Sequence, residues 1–224
     1  MTEPLAKRLL AEAVGTALLV GIGTGAIVAT SSVVDGRFLI LAAAWFFAVT
    51  IPVALFASIS GAHLNPVVTL ALLADRRIPA AEIGPHIAAQ VVGAFLGSAT
   101  VLATFGSSRG LGATVPTGGD VVRALPLEFA FTALLVGTVL ALVRWGAGRV
   151  RWRLTWPGLV VAASTYLIGP WTGSSLNPAR TIAPAVLSGV YTDIWLYLVA
   201  PPLAALVAVG LARVADRRRA RGHT

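Results

Sequence analysis

Two short stretches, SGAHLNPVVTLA at residues 60–71 and TGSSLNPARTIA at residues 172–183, decide the fold. Each contains an Asn-Pro pair, Asn65–Pro66 or Asn177–Pro178, followed by an apolar run of only eight to ten residues. Asn is a strong helix N-cap and Pro is favoured in the first helical turn, so both pairs are predicted to begin helices. At about 1.5 Å per residue these helices reach about 12 to 15 Å, which is roughly half of a bilayer's apolar core.

The rest of the chain has the composition of a membrane protein. Of its 224 residues, 57% are hydrophobic and 12% are charged, and the mean hydropathy is +0.84. A soluble domain carries about 25% charged residues and could not bury so much apolar surface. The lack of cysteine excludes a disulfide framework and a cysteine-ligated metal site. Six segments are long and apolar enough to cross a bilayer: Leu9–Thr30, Phe38–Ile59, Ile83–Phe105, Ala124–Val143, Leu154–Trp171 and Ile194–Leu211.

The basic residues predict how these segments are oriented. The net charge is +8, and six crossings with two re-entrant half-helices put both termini, the turn at residues 75–77 and the 144–153 loop on one side. Thirteen of the 17 Lys and Arg residues then share that side. Four cations are exceptions: Arg37, Arg109, Arg123 and Arg180. This is the positive-inside pattern, which predicts a multi-pass protein with both termini cytoplasmic. We expect it in the plasma or inner membrane. The basic surplus therefore needs no nucleic-acid partner.

The two halves of the chain resemble each other. Residues 11–20 (AEAVGTALLV) match residues 127–136 (LEFAFTALLV), and the two Asn-Pro stretches match each other. Each half has three spans, an odd number, so the second copy must insert upside down. We therefore predict an all-α membrane protein of six transmembrane helices plus two re-entrant half-helices. It forms a single domain of inverted repeats, at about 1–110 and 120–224. Inverted repeats with broken helices place a binding or permeation site at the midplane.

The residues at that midplane favour a pore. Two half-helices point their positive N-terminal ends at it, which disfavours cations. Asn65 and Asn177 can cap the helices and still offer an N–H group to a passing solute. Arg180 is a charge at membrane depth, which is costly and marks a functional site. It would repel cations and donate several hydrogen bonds to a solute oxygen.

The paired motifs HLNPVVT and LNPAR resemble those of the aquaporin, or major intrinsic protein, family. Glu12 and Glu128 in equivalent spans and Gln90 extend the resemblance over nearly the whole chain. It implies a homotetramer in the lipid bilayer, with a pore in each protomer that passes water or small uncharged solutes, and no cofactor or metal. Six residues form the implied midplane motifs: Asn65, Pro66, Val67, Asn177, Pro178 and Ala179. Val67 takes the place of the family's Ala and could shift the midplane constriction.

The resemblance also locates the narrow selectivity filter by spacing from the two asparagines. The implied filter residues are Trp45, Thr165, Ser174 and Arg180. Pro170, a position where water channels of the family also carry proline, supports the alignment at Thr165. Without the resemblance, Trp45 would be interpreted as a packing or interface residue, and it could face lipid together with Phe46 and Phe47.

The filter residues indicate the class of solute. Water-selective members commonly carry His at the position of Thr165, and glycerol facilitators carry Phe at Ser174 and Asp at Thr181. The pattern here most resembles the plant nodulin-like intrinsic proteins and their bacterial relatives. That resemblance implies permeation of glycerol, small amides and neutral metalloid hydroxides such as arsenous acid, with some water. A predominantly water-selective pore is the alternative.

Three ionisable residues in the predicted spans and the first Asn-Pro motif admit a second interpretation. Glu12 and Glu128 could be proton-relay groups of a secondary active transporter. The resemblance favours a structural role, in which they accept hydrogen bonds from the half-helix loops. His63 could gate the pore by its charge, although a pore-lining or packing role is favoured. Nothing in the sequence supports an intramembrane enzyme, because there is no metal-ligand set and no nucleophile with a nearby base.

Overall fold

The computed structural model describes residues 3–144 and 151–221, and within these ranges it contains helices and turns but no strands. The helices are α1 (Leu5–Ala29), α2 (Arg37–Phe56), α3 (Pro66–Ala74), α4 (Ile83–Phe105), α5 (Val121–Arg144), α6 (Trp156–Leu167), α7 (Gly169–Thr172), α8 (Pro178–Ser188) and α9 (Ile194–Arg221). Residues 145–150, the centre of the predicted basic loop, lie outside the described residues, as do the ends of both termini.

Five of the six predicted spans are single helices. By length and composition, α1, α2, α4, α5 and α9 are able to cross a membrane. The predicted fifth span, Leu154–Trp171, is instead divided into the end of a 3₁₀ turn (Arg151–Thr155), α6 and α7. The break falls at Ile168, just before Pro170. Proline has no backbone N–H for the bond to the preceding turn, so a continuous helix cannot pass through it unstrained.

The half-helices α3 and α8 start at the two predicted Asn-Pro pairs. Both pack against α4 and α9, so each is enclosed by long helices from both halves of the chain.

Two arginine side chains hold the C-terminal end of α3 in place. The Arg144 Nε donates to Asp75 at 3.0 Å, and Arg213 donates to the carbonyl of Ala74. The Arg213 bond satisfies a carbonyl that the helix leaves unpaired at its C-terminus, and the Arg144 bond is an ion pair with the side chain of the C-cap residue.

The long helices pack in a pattern that is equivalent in the two halves. In the first half α1 lies against α4 and α2, and in the second half α5 lies against α9 and α6. The contact of α2 with α6 joins the halves. The α1–α4 crossing depends on Gly93, where an added Cβ would lie 2.1 Å from the carbonyl oxygen of Ala13. Small residues of this kind let membrane helices approach closely in the absence of a hydrophobic driving force.

Candidate functional site

Glu12 on α1 holds the loop that leads into α3. Its side chain is fully buried, and its carboxylate accepts hydrogen bonds from the backbone N–H groups of His63 at 2.9 Å and Leu64 at 2.8 Å. It also accepts from the Ser60 hydroxyl and the Gln90 amide, both at 2.7 Å. Four donors match the acceptor capacity of a carboxylate. The chain between α2 and α3 is therefore fixed against α1.

Glu128 on α5 makes the equivalent contacts in the second half. Its buried carboxylate accepts from the Thr172 hydroxyl at 2.7 Å and from the N–H groups of Ser175 and Leu176, both at 2.9 Å. Neither glutamate is among the residues that line the cavity described below. Both carboxylates therefore contact the half-helix loops from behind, away from the space that a solute would occupy.

The two asparagines cap their own half-helices. The Asn65 Oδ1 accepts from the N–H of Val67 at 2.9 Å, and the Asn177 Oδ1 accepts from the N–H of Ala179 at 3.0 Å. Both residues have extended backbone angles at the cap position, as N-cap residues do. The side-chain oxygens thus satisfy helix N–H groups that would otherwise remain unpaired at membrane depth.

The asparagines also join the two half-helix loops to each other. The Asn65 Nδ2 donates to the carbonyl of Leu176 at 2.9 Å, and the Asn177 Nδ2 donates to the carbonyl of Leu64 at 2.8 Å. These reciprocal bonds bring the N-terminal ends of α3 and α8 together. Each amide nitrogen carries two hydrogens, so one N–H of each asparagine remains available to a solute.

The first residues after the caps pack instead of facing open space. Pro66 and Pro178 are the first residues of α3 and α8 and are buried. Val67 and Ala179 are fully buried, and Val67 lies in an apolar cluster with Val136. The extra bulk of Val67 is therefore taken up by this cluster, and its side chain does not line the cavity.

Arg180 in the first turn of α8 has N–H groups that make no hydrogen bond within the described residues. The residue is 1% exposed, and its Nη1 donates to the carbonyl of Gly112 at 2.9 Å. Its Nε and Nη2 are buried and have no hydrogen-bond partner among the described residues. Leaving such a donor unpaired costs about 1 to 3 kcal/mol, so these groups favour an incoming acceptor.

Trp45 on α2 lies opposite Arg180. The guanidinium carbon is 5.0 Å from the centroid of the indole ring, within the range of a cation–π contact. The indole packs closely on α1, where a Cβ added to Gly23 would lie 2.4 Å from its Cη2 atom. Trp45 is only 4% exposed, whereas the neighbouring Phe47 is 53% exposed. Trp45 thus faces the protein interior, and the lipid-facing orientation is wrong.

A cavity of about 580 Å³ connects these groups. Its polar lining includes His63, Asn65, Ser175, Asn177 and Arg180. Much of the remaining wall is apolar and comes from α1, α2, α3 and α5: Leu19, Val49, Val53, Val68, Leu135 and Val139. An apolar space with a few convergent polar groups suits a small polar molecule that must leave bulk water.

Thr165 and Ser174 lie beside this cavity and do not line it. Both are buried, and the Thr165 hydroxyl donates to the carbonyl of Val161 at 2.9 Å. The Ser174 hydroxyl lies 2.8 Å from that of Ser164. The structure therefore brings Trp45 and Arg180 to the cavity with both asparagines, and leaves the two hydroxyl residues turned toward α6.

His63 lines the cavity and stacks on a residue that the sequence did not single out. Its Nδ1 lies 3.2 Å from the Thr69 hydroxyl, and its ring centroid lies 5.5 Å from that of the buried His86. Within residues 3–144 and 151–221, no group of three or more His, Asp or Glu side chains is placed to hold a metal ion.

A chain of hydroxyl groups beside Arg180 was also missed. Thr181 lies 2.9 Å from the Thr114 hydroxyl and 2.5 Å from the Ser175 hydroxyl, which in turn donates to the carbonyl of Asn177 at 3.1 Å. Together with the Gly112 carbonyl, Thr114 holds the loop between α4 and α5 onto α8. Of these residues, only Thr181 was considered from the sequence, because it directly follows Arg180.

The half-helices that meet through their Asn caps, the long apolar helices around them and the polar-lined cavity define a membrane channel. The family model of the major intrinsic protein matches residues 1–211, and the chain belongs to that family. Members of this family are channels for water and small solutes and are not enzymes, and this chain is a channel of the same kind.

The chain resembles named members from plants and bacteria. It is 34% identical over 201 residues to aquaporin NIP1-1 of Oryza sativa, covering 88% of this chain and 70% of the relative. It is 35% identical over 215 residues to the glycerol uptake facilitator protein-like 6 of Lactiplantibacillus plantarum, covering 93% and 97%. The X-ray structure of the Plasmodium falciparum aquaglyceroporin matches with a TM-score of 0.80 at 25% identity, covering 92% of this chain and 95% of the other.

Proposed function

We propose that this protein is a passive channel for small uncharged solutes, namely glycerol, neutral metalloid hydroxides such as arsenous acid, and water, and that it excludes protons and ions. One observation carries the proposal. Arg180, whose Nε and Nη2 have no hydrogen-bond partner among the described residues, lines the same cavity as Trp45, Asn65 and Asn177. This arrangement offers donors to a solute oxygen and an aromatic face to its carbon atoms.

Ion exclusion follows from the charges around the cavity. The N-terminal ends of α3 and α8 each contribute a partial positive charge of about half an elementary charge. Arg180 adds a full positive charge, and none of the ion pairs among the described residues includes it. A cation or hydronium ion would therefore meet the positive charge of Arg180 in a site of low dielectric, whereas the nearest carboxylates, Glu12 and Glu128, do not line the cavity. A neutral hydroxylated solute meets only hydrogen-bond donors.

We propose Trp45, Thr165, Ser174 and Arg180 as the selectivity filter. Thr165 and Ser174 are small, which favours a wide aperture with a single aromatic wall. The similarity to a protein named a glycerol uptake facilitator and to nodulin-like aquaporins supports permeation of glycerol and related solutes. Neutral metalloid hydroxides share the same chemistry, since they are compact and carry several O–H groups.

A predominantly water-selective pore is the second candidate. It is favoured by one observation, that Thr165 and Ser174 do not line the main cavity. The passage is then bordered by Trp45 and Arg180 without polar groups from residues 165 and 174. Water would then pass more easily than a solute with a carbon chain.

The assembly and topology belong to the same proposal. The channel is a single domain of inverted repeats, about 1–110 and 120–224, in a homotetramer with one pore in each protomer. It lies in the plasma or inner membrane with both termini cytoplasmic. Glu12 and Glu128 support the half-helix loops in this proposal, and His63 is a pore-lining residue. The equivalent contacts of Glu12 and Glu128 with the two loops support the repeat.

The proposal is tested by stopped-flow light scattering on proteoliposomes. Water, glycerol and arsenous acid permeabilities are compared with those of empty vesicles of the same lipid. Entry of glycerol and arsenous acid well above that in empty vesicles is the expected result. Fast water flux without solute entry would replace the proposal with the water-selective candidate.

A further inference from the structure

A second cavity opens on the outside of the helix bundle, between α5 and the segment formed by α6 and α7. It has a volume of about 360 Å³ and six lining residues: Arg123, Pro126, Leu127, Leu167, Ile168 and Trp171. None of these residues lines the cavity that contains Arg180. Apart from Arg123 the lining is apolar, and Leu167 and Trp171 are exposed. Such a surface is more stable against lipid chains than against water.

Arg123 supplies the charge of this cavity. Its guanidinium carbon lies 3.9 Å from the centroid of the Trp171 ring, a close cation–π contact. The side chain is exposed, and no ion pair or hydrogen bond found among the described residues includes its guanidinium. The adjacent Asp120 accepts only from the backbone N–H of Arg123, at 3.0 Å. The five N–H donors of the guanidinium are therefore open to a ligand.

Both walls of the cavity have the same order of groups with depth. Arg123 lies in the first turn of α5, a helix long enough to cross a membrane, and so lies near a membrane–water boundary. Leu127 follows four residues later, about 6 Å deeper. On the other wall Leu167 precedes Trp171 by four residues. A cation and an aromatic ring thus lie at the boundary with a leucine one turn deeper on each side, which is the order of headgroup and acyl chain in a phospholipid.

We propose that this cavity binds one phospholipid with an anionic headgroup, with its phosphate on Arg123 and an acyl chain between Leu127 and Leu167. A guanidinium binds phosphate oxygens in a bidentate manner. An anionic lipid is favoured over a zwitterionic one, because its headgroup carries no cation of its own to pair with the phosphate. The inference goes beyond the proposed function, since no solute has to cross the channel for the lipid to bind.

The test is native mass spectrometry of the channel, released from detergent with phosphatidylglycerol or phosphatidylcholine of the same acyl chains. Other cations of the protein also attract anionic lipid, so the comparison is between variants that each lose one exposed cation. Arg123→Gln should lower phosphatidylglycerol retention about twofold to fivefold, the range expected for one exposed ion pair. The matched control is Arg109→Gln, which removes an exposed cation at the same end of the helices that lines neither cavity and should leave retention unchanged.

The same variants distinguish a lipid from a second copy of the chain. A copy would have to bring a carboxylate to Arg123, and Asp35, in the loop between α1 and α2, is exposed at the same end of the helices. Equal retention by Arg123→Gln and Arg109→Gln would overturn the inference. Dissociation of an oligomer by both Arg123→Gln and Asp35→Asn, with lipid retention unchanged, would overturn it and assign the cavity to the second copy. Glycerol permeability of the wild-type channel tests the proposed function separately and does not bear on this result.

Discussion

Arg180 is held at the cavity wall without a carboxylate partner. One nitrogen bonds the Gly112 carbonyl, and the guanidinium lies over Trp45, a contact that contributes about 0.5 to 2 kcal/mol. Arg180 was indicated by its charge at membrane depth, whereas Trp45 was indicated only by the family resemblance, through its spacing from the Asn-Pro motif. Gly112 could not be predicted, because it lies 68 residues away and contributes only a carbonyl, a group that every residue has.

Removal of the filter charge should relax ion exclusion. In Arg180→Ala we expect proton leak to rise about tenfold or more, since a unit charge at about 4 Å repels another by about 4 kcal/mol at an effective dielectric of 20. A pH-sensitive dye inside proteoliposomes measures the leak. The control is Arg123→Ala, which removes an exposed cation that does not line the main cavity. If the two variants leak equally little, Arg180 is not the charge barrier.

The space that Gly23 leaves for the Trp45 ring should control the aperture. A Cβ at this position meets the ring at 2.4 Å, so in Gly23→Ala the indole has to move. An added barrier of about 1.4 kcal/mol would slow glycerol flux about tenfold. Gly25→Ala on the same helix is the control, because its Cβ would be 3.6 Å from the nearest atom, in Val101. Stopped-flow traces that are the same for both variants would contradict this role of Trp45.

The elements of the fold could be predicted where a local signal exists. Asn caps and first-turn prolines marked both half-helices, and their observed starts differ from the predicted apolar runs by one residue. The fifth span was predicted as one helix because its apolar run is continuous. The break at Ile168 was missed even though Pro170 was noted, since periodicity alone does not show how a membrane helix accommodates proline.

The Glu12 carboxylate, which holds the loop between α2 and α3, should be essential for the stability of the fold. Glu12→Gln replaces one acceptor oxygen with an amide that faces donors, and each lost bond to a charged group is worth about 1.5 to 3 kcal/mol. We expect a destabilisation of about 3 kcal/mol or more, seen as a lower melting temperature in detergent. Glu3→Gln is the control, because Glu3 only forms an exposed pair with Lys7. A Glu12→Gln protein as stable as this control would contradict the loop-support role.

The close approach of α1 and α4 at Gly93 should also be needed for stability, and α4 itself offers a control position. Gly93→Ala places a methyl group against the backbone of Ala13, and overpacking of this kind costs about 1 to 3 kcal/mol. A Cβ at Gly84 on α4 would meet nothing within 4 Å, so Gly84→Ala should leave stability unchanged or raise it by up to about 1 kcal/mol. Equal melting temperatures for the two variants would show that the close approach is not needed.

For the whole molecule, the two halves make equivalent contacts around one cavity. Each glutamate accepts from a half-helix loop, and each asparagine bonds the loop of the other half. The internal repeat predicted that the two Asn-Pro pairs meet at the midplane, and the family resemblance implied that the glutamates support the loops. The reciprocal bonds of the asparagines to the opposite loops were not predicted, because their acceptors are backbone carbonyls. The width of the passage could not be predicted, because it depends on whether Thr165 and Ser174 face the cavity or α6. Neither carboxylate borders the cavity, which favours passive flow over coupling to protons.

The central claim is that neutral solutes cross this protein passively. The most direct measurement is glycerol entry into proteoliposomes, followed with and without an imposed proton gradient. We predict entry much faster than into empty vesicles and the same final internal concentration, equal to the external one, under both conditions. Accumulation above the external concentration when the gradient is applied, or no entry beyond that of empty vesicles, would contradict the account.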